Sequence, residues 1–243
     1  MGHQLVNGIH HLAIMTADMK SQIEFFSDVL GMKLKALYWM HGVEGFFHAF
    51  MELNHNASVA FVFSPAAKTK PTKWGVSHAG SPTAVCSPGT MQHVALSVNS
   101  DEELLQMRDR IRERGVRVLG PLDHGFCKSI YFGGPENLVL EVSTSQKSID
   151  EDAWIDPEVV GLNNISEEEL NRFKYPELYE NDTGNPVPQP PKNNGMPEYS
   201  KMSPDFAAAF DLPDEVVTRE MSENTPPVER VPPNSELHSN YQP

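Results

Sequence analysis

A short pattern that occurs twice constrains this chain more than any other feature of its sequence. The stretches HHLAIMT and QHVALSV each place a histidine at the start of a predicted strand, and these histidines, His11 and His93, lie 82 residues apart. Seven positions after each histidine stands a residue that favours a helix start, Asp18 in the first copy and Ser100 in the second. Similarity at a fixed spacing predicts two copies of one structural unit.

Each copy predicts the same order of elements, which is a strand, a helix and three further strands. The apolar residues after the first strand recur at helical spacing. A glycine ends each predicted helix, Gly31 in one copy and Gly115 in the other. We therefore expect an α+β fold built from two βαβββ modules, over residues 1–64 and 91–144, joined by a connector over residues 65–90.

The rest of the chain, residues 145–243, has a different composition. It carries 14 of the 20 prolines and a net charge of −13, whereas residues 1–144 carry a net charge of −1. Two alternatives fit this composition: a disordered acidic tail, or an extended acidic arm with short helices that packs aromatic residues onto the body or onto a second subunit. Because so acidic a surface repels phosphate groups, we exclude nucleic acid as a partner.

Two further features bound the compartment and the chemistry. No apolar run approaches the roughly 18 residues needed to cross a membrane, and the segment from Met1 to Asn7 lacks the pattern of a signal peptide. The two cysteines, Cys86 and Cys127, are arranged neither as a disulfide scaffold nor in zinc-binding pairs. We therefore expect a soluble, cytoplasmic protein with no membrane partner.

Three polar residues in the predicted strands are candidate metal ligands. Alternation places His11 with the small Ala13 on one strand face and His93 with Ala95 on another, which leaves space beside each imidazole. Glu141 interrupts an apolar strand, where a carboxylate is costly unless it is paired or binds a metal. Two imidazoles and one carboxylate form a ligand set typical of Fe(II) with open coordination positions.

The motifs that contain these residues resemble those of the vicinal oxygen chelate superfamily. GIHHLAIMTADM with the LGM after its helix, and MQHVALSV with GPENLVLEV, are similar to the repeats of this group. The group includes glyoxalase I, methylmalonyl-CoA epimerase, fosfomycin-resistance proteins and extradiol dioxygenases. The resemblance covers about residues 6–144 and implies paired curved sheets around a metal site at His11, His93 and Glu141. It also implies a homodimer or a higher homo-oligomer.

Within that superfamily the second copy looks most like the extradiol dioxygenases. The stretch HGFCKSIYFGGPENLVLE resembles their signature, which implies that His124 and Tyr131 take part in catalysis. The match is partial, because Leu122, Gly134 and Asn137 stand where the signature has other residue types. The resemblance implies Fe(II), with Mn(II), Zn, Ni or Co as alternatives, and a small aromatic substrate that reacts with dioxygen.

The first copy departs from two of these relatives at positions that matter for catalysis. Aligning ASVAFVF with NLVLEVS places Phe61 where glyoxalase I has a fourth metal ligand, which disfavours a glyoxalase site. Extradiol enzymes carry a catalytic histidine before this strand, and the alignment places Asn56 there with His55 one residue away. Either His55 supplies the proton-transfer group or the chain lacks it. Four residues are expected to line the substrate pocket, namely Phe46, His48, Phe50 and Phe61.

The sequence thus predicts an Fe(II)-dependent enzyme that cleaves a catechol-like ring with dioxygen. Two alternatives stay open. One is a glyoxalase-like lyase, isomerase or epimerase of the same superfamily, which needs a divalent metal but no oxygen. The other is a binding protein that sequesters a small molecule between the paired sheets and needs no metal.

Overall fold

A computed structural model of the 243-residue chain describes residues 5–180, 184–191 and 203–228. The chain divides into two compact units. The first unit comprises Met1–Met40 and Gly45–Tyr179 and contains both predicted modules. The second unit comprises His41–Glu44 and Glu180–Pro243.

The described residues form eight strands in two four-stranded sheets, as the repeat predicts. In chain order the strands are β1 (His11–Thr16), β2 (Lys33–Trp39), β3 (Phe47–Asn54), β4 (Ala57–Phe63), β5 (Val94–Ser97), β6 (Val118–Asp123), β7 (Lys128–Gly133) and β8 (Val139–Thr144). The strand order is β1-β4-β3-β2 in sheet 1 and β5-β8-β7-β6 in sheet 2. The first and last strands of each module run parallel and the other neighbours antiparallel. The expected α+β fold with two βαβββ modules is confirmed.

The α-helices of the described residues are α1 (Met19–Glu24), α2 (Asp101–Glu113), α3 (Glu151–Trp154), α4 (Pro157–Leu162), α5 (Glu167–Lys174), α6 (Pro204–Ala209) and α7 (Asp214–Met221). Asp18 and Ser100 cap α1 and α2 with their side-chain oxygens, as the sequence predicts. α1 continues as a π-helical turn over Phe25–Val29. Gly31 and Gly115 then end the helical segments with φ values of +82° and +81°, a conformation that glycine adopts without a steric penalty.

One hydrophobic core serves both modules. The helix-covered faces of sheet 1 and sheet 2 contribute buried residues to a single cluster. Phe26 packs edge-on against Phe61 of β4 with ring centroids 4.9 Å apart, and its neighbour Phe25 stacks with Phe132 of β7 at 6.5 Å. The other face of each sheet, here called its open face, therefore lies on the side away from the shared core.

A single carboxylate holds the two modules together at one end of β1. Glu136, in the turn before β8, accepts hydrogen bonds from Thr16 Oγ1 at 2.5 Å, the Ala17 amide at 2.7 Å and Gln22 Nε2 at 2.8 Å. Glu136 has a φ of +51°, a left-handed conformation that a non-glycine residue keeps when its surroundings hold it there. We call this arrangement the Glu136 clasp.

The first part of the acidic segment is folded in the described structure. Trp154 of α3 packs edge-on against Phe126 of the second module, with ring centroids 4.9 Å apart. Ser166 begins α5 in a reciprocal capping box with Glu169. Of the two alternatives for this segment, residues 145–180 follow the arm with short helices. The structure describes no helix with the length and apolar character that crossing a membrane requires.

The Glu136 clasp predicts a loss of stability when its carboxylate is removed. In Glu136→Ala the three donors of the first module lose their acceptor, and two of them, the Thr16 hydroxyl and the Gln22 amide, are fully buried. Because an unpaired buried polar group costs about 1–3 kcal/mol, we expect the free energy of unfolding to fall by about 2–4 kcal/mol. Urea denaturation of the purified protein measures this change.

The matched control for this experiment is Glu24→Ala. It removes an exposed carboxylate of α1 that pairs with Lys20 at 3.2 Å. An exposed pair of this kind contributes about 0.5 kcal/mol or less. Equal losses of stability in the two variants would contradict the role of the clasp.

Candidate functional site

The open face of sheet 2 brings together four residues that the sequence assigns to the site. His93 Nε2 lies 2.9 Å from Glu141 Oε2. Tyr131 stands opposite Glu141 in the register of β7 and β8, and its ring centroid lies 6.2 Å from that of His93. His124 Nε2 lies 3.1 Å from the Tyr131 hydroxyl oxygen. His93, Glu141, Tyr131 and His124 thus form one continuous polar group, which we call the sheet 2 cluster.

Glu141 is only 5% exposed, yet polar groups surround its carboxylate. The Ser143 hydroxyl donates to Oε1, and the Ser129 and Ser143 hydroxyl oxygens lie 2.8 Å apart. Burial by itself raises the pKa of Glu141, but the hydrogen bonds from Ser129 and Ser143 and the charge of His93 outweigh burial and lower it. The carboxylate is therefore held in its charged form, which is the form that binds a cation.

Tyr131 and His124 form a hydrogen-bonded pair beside this carboxylate. Burial and the negative charge of Glu141 raise the pKa of Tyr131 above its usual value. The phenol therefore stays protonated at neutral pH and can donate a hydrogen bond to a bound molecule. The contact to His124 connects the phenol to an exposed imidazole that can carry a proton to solvent.

The residue before each repeat histidine contacts that histidine's Nδ1 atom. His10 Nδ1 lies 2.9 Å from His11 Nδ1, and the side-chain oxygen of Gln92 contacts His93 Nδ1. Each contact engages one ring nitrogen and leaves Nε2 for another partner. This is the arrangement that holds the ring of a metal-binding histidine in place.

The open face of sheet 1 carries His11 in aromatic surroundings. The ring centroid of His11 lies 5.6 Å from that of Phe50, and Phe50 stacks with Tyr38 at 6.3 Å. The His48 ring lies 5.9 Å from both Tyr38 and Phe50, and its buried Nε2 has no hydrogen-bond partner among the described residues. Burial, with a smaller effect from the charge of His11, lowers the pKa of His48 below its usual value.

The three predicted metal ligands do not meet within one chain. His93 and Glu141 pair on sheet 2, whereas His11 lies on sheet 1. The described residues contain no group of three His, Cys, Asp or Glu side chains placed to hold a metal ion. The shared core explains why His11 is separated from His93 and Glu141. The helix-covered faces of both sheets form this core, so the open face of each sheet points away from the core.

Phe61 does not line an open face, so this part of the prediction is wrong. Its side chain is 0% exposed and belongs to the shared core. The strand register explains the error in the alignment of β4. In the first module Ala60 lies opposite Ala13, and in the second module Glu141 lies opposite the equivalent residue, Ala95. The position equivalent to Glu141 is therefore Ala60, which also offers no ligand to a metal.

The other predicted pocket residues have different surroundings. His48 and Phe50 lie on the open face of sheet 1, while Phe46 is half-buried one residue before β3. His55 is exposed in the turn between β3 and β4, next to Asn56. None of the contacts described for the chain joins His55 to the sheet 2 cluster, and its proton-transfer role stays a prediction.

Three residues that the sequence analysis did not single out touch the site. Ser143 and Ser129 each lie two positions from a site residue, Glu141 and Tyr131, and residues two apart on a strand share a face. This two-residue spacing could have identified both serines from the sequence. Gln92 also donates from Nε2 to two connector carbonyl groups, at 3.0 Å and 3.1 Å, and this loop contact has no periodic signature.

Comparison with known protein families identifies the group to which the chain is related. The model of the Glyoxalase/Bleomycin resistance protein/Dioxygenase superfamily matches residues 8–142, more than half of the chain. The chain belongs to this superfamily. The match spans both modules and ends before the acidic segment. No curated protein sequence matches the chain.

The solved structures that resemble this superfamily member include a superfamily domain, an antibiotic binding protein and a resistance protein. A glyoxylase/bleomycin resistance protein/dioxygenase domain from Frankia is 16% identical, with 58% of this chain and 99% of that chain covered and a TM-score of 0.47. An antibiotic binding protein from Streptomyces is 19% identical, with 59% and 100% covered and a TM-score of 0.40. A fosfomycin resistance protein from Listeria monocytogenes, complexed with Mn(II) and sulfate, is 15% identical, with 58% and 95% covered and a TM-score of 0.39.

The sheet 2 cluster fits the divalent metal that is common in the superfamily. Two donor atoms that each lie about 2.1 Å from one cation, at a right angle, are about 3.0 Å apart. His93 Nε2 and Glu141 Oε2 are 2.9 Å apart. A charged carboxylate and an imidazole whose Nδ1 is already engaged are ligands of the kind that Fe(II), Mn(II) and Zn accept.

His48 is expected to titrate below an ordinary histidine in the metal-free protein. Burial disfavours its charged form, and a positive charge on His11 adds to this effect. In His11→Asn the charge disappears while burial stays, so the pKa of His48 should rise part of the way toward its usual value. NMR titration of the imidazole resonances measures both values.

His78→Asn is the control for this titration, because His78 lies in the connector and interacts with Ser77. The pKa of His48 should not change in this variant. An equal shift of the His48 pKa in both variants, or none in either, would contradict the electrostatic contact between His11 and His48.

Proposed function

We propose that two copies of the chain together form metal-dependent dioxygenase sites that cleave a catechol-like ring. His93 and Glu141 of one copy and His11 of a second copy hold Fe(II), or alternatively Mn(II). The observation that carries this proposal is the sheet 2 cluster. In this cluster a histidine–carboxylate pair lies beside a hydrogen-bonded tyrosine and histidine, which supports a metal pair next to groups that serve a bound substrate.

The exposure of apolar residues on both open faces supports a site shared between copies. Met15, on the His11 face of sheet 1, is 54% exposed, and Leu119, opposite Tyr131 on sheet 2, is 60% exposed. Covering such surface contributes about 25 cal/mol for each Å² that is buried. A two-fold pairing of sheet 1 from one copy with sheet 2 from the other covers both faces and builds two identical sites.

The chain's own residues supply binding and proton transfer around the metal. When bound, the metal lowers the pKa of a substrate hydroxyl and holds both reactants in reach of each other. Tyr131 donates a hydrogen bond to a substrate oxygen, because its raised pKa keeps the phenol protonated. His124, 3.1 Å from the phenol oxygen, moves a proton to or from solvent.

The open face of sheet 1 supplies walls for an aromatic ring. Phe50 and Tyr38 stack side by side on this face, and flat apolar surfaces of this kind favour contact with another ring. The unpaired Nε2 of His48 offers a hydrogen-bond partner to a substrate hydroxyl on the same face. In this proposal His48, together with or in place of His55, provides the group that handles protons on the side of sheet 1.

Complementation between two inactive variants tests whether the site is shared. His11→Ala removes the ligand of sheet 1, Glu141→Ala removes a ligand of sheet 2, and each variant alone should lose metal and activity. Co-expression with two different affinity tags isolates dimers that contain one copy of each. Such a mixed dimer holds one intact site and one doubly defective site, so we expect about half of the wild-type activity and metal content.

The control pairs His93→Ala with Glu141→Ala. Both substitutions then affect sheet 2, so a mixed dimer of these variants contains no intact site and should stay inactive. If the three ligands came from one chain, the first mixed dimer would also be inactive. Absence of recovery in the His11→Ala and Glu141→Ala dimer therefore contradicts the shared site.

Oxygen uptake tests the reaction itself. With Fe(II) and a catechol we expect the dimer to consume oxygen and to form a yellow ring-opened product. Tyr131→Phe should keep its metal but lose about 10²-fold in kcat, because a donor to the substrate oxygen is missing. An oxygen electrode and metal analysis of the same samples measure both effects, with Tyr38→Phe as the comparison on the other sheet.

The alternatives give different results in the same assays. Turnover under nitrogen with Ni, Co or Zn would identify a lyase, isomerase or epimerase. Equal binding of an aromatic ligand with and without metal, and in His11→Ala, would identify a sequestering protein. A metal-loaded dimer that consumes no oxygen with a broad panel of catechols contradicts the dioxygenase.

A further inference from the structure

We propose that the chain has a second ligand site, which takes a small organic ammonium ion with an apolar body. A cavity of about 480 Å³ lies between the end of β1, the connector and the turn before β8. His11, His93 and Glu141 do not line this cavity. The site is therefore distinct from the proposed metal centre, although Gln92, which contacts His93, and Met15, which shares a strand face with His11, also line the cavity.

A buried amide oxygen without a partner marks the polar end of this cavity. Gln22 lines the cavity and is 0% exposed. Its Nε2 donates to Glu136 at 2.8 Å, which directs the amide oxygen away from that carboxylate. This oxygen has no hydrogen-bond partner among the described residues. Since buried polar atoms are almost always paired, the unpaired oxygen indicates that a hydrogen-bond donor belongs there.

The neighbouring carboxylate determines which donor fits. Glu136 also lines the cavity, and its partners are a hydroxyl, a backbone amide and the Gln22 amide, all of them neutral. None of the ion pairs described for the chain includes Glu136. Partly buried carboxylates are stabilised by a cation with N–H donors. An ammonium group at this end of the cavity donates to the Gln22 oxygen and is attracted by the negative charge of Glu136.

The remaining walls of the cavity suit an apolar body. Small and flexible apolar side chains contribute much of the lining, among them Met15, Met91, Ala67 and Ala79. Two lining residues can themselves be positively charged. Lys70 is exposed to solvent, and His78 is half-buried with Nδ1 2.9 Å from Ser77 Oγ. The ligand therefore directs its ammonium group toward Gln22 and Glu136 and its body toward the methionines.

Three probes of similar size and different charge separate the contributions of charge and shape. Benzylammonium, benzyl alcohol and benzoate are titrated into the full chain without added metal, and the methyl resonances of Met15 and Met91 are followed by NMR. Benzylammonium should shift both resonances saturably and bind about tenfold or more tighter than benzyl alcohol, because hydrogen bonds to charged groups are the stronger kind. Benzoate should not bind.

Two variants locate the probe. Ala67→Phe narrows the cavity from the connector side without touching the clasp, so it should abolish the shifts and leave the urea midpoint unchanged. Glu136→Gln keeps the shape of the side chain but removes its charge, so the preference for benzylammonium over benzyl alcohol should disappear. If Glu136→Gln does not fold, the Ala67→Phe result and the probe series decide.

Several outcomes overturn the proposal. Saturable binding by none of the probes shows that water alone fills the cavity. Binding of benzoate as tight as that of benzylammonium removes the charge argument. Undiminished binding of benzylammonium to Ala67→Phe places the probe elsewhere on the chain.

Discussion

Each βαβββ module has two sheet faces, and the shared core covers one face of each. The helix-covered faces of both sheets bury their large side chains in a common core, where Phe25 and Phe132 meet across the modules. The Glu136 clasp fixes this contact with three hydrogen bonds. His11 lies on the other face of sheet 1, and His93 and Glu141 lie on the other face of sheet 2, so the shared core separates the three proposed ligands within one chain.

The charged centre of the site is prepared before any ligand arrives. A carboxylate as buried as Glu141 is costly, and two serine hydroxyls and an imidazole offset that cost by favouring the charged form. The same side chains fix its orientation, so the proposed binding of a cation would need little reorganisation of Glu141. Neighbours that engage Nδ1 of His11 and His93 have a similar effect on the rings.

The sequence predicts the modules well and their mutual arrangement poorly, for physical reasons. Alternation and a repeat spacing determine which residues share a face, and His93 and Glu141 lie together as those patterns indicate. Tyr131 and His124, which also lie together, are expected at the site only from the family resemblance. No periodicity records which faces of two sheets pack together, because either face can lie against a second chain. The misplacement of Phe61 has another origin. β4 is apolar on both faces, so its sequence does not determine which residues face the core. An alignment error of one residue then assigns every side chain of the strand to the wrong face.

The contact between Gln92 and the connector has an evolutionary consequence. The amide group of Gln92 touches His93 with its oxygen and two connector carbonyl groups with its nitrogen. The connector contributes no strand to either sheet, so mutation can lengthen or reshape it while the sheets stay intact. A change that moves the Ser81 or Ala84 carbonyl group would move Gln92 and so tilt the imidazole beside it. Remodelling of a surface loop can thus change the surroundings of His93 while the strand residues around it are unaltered.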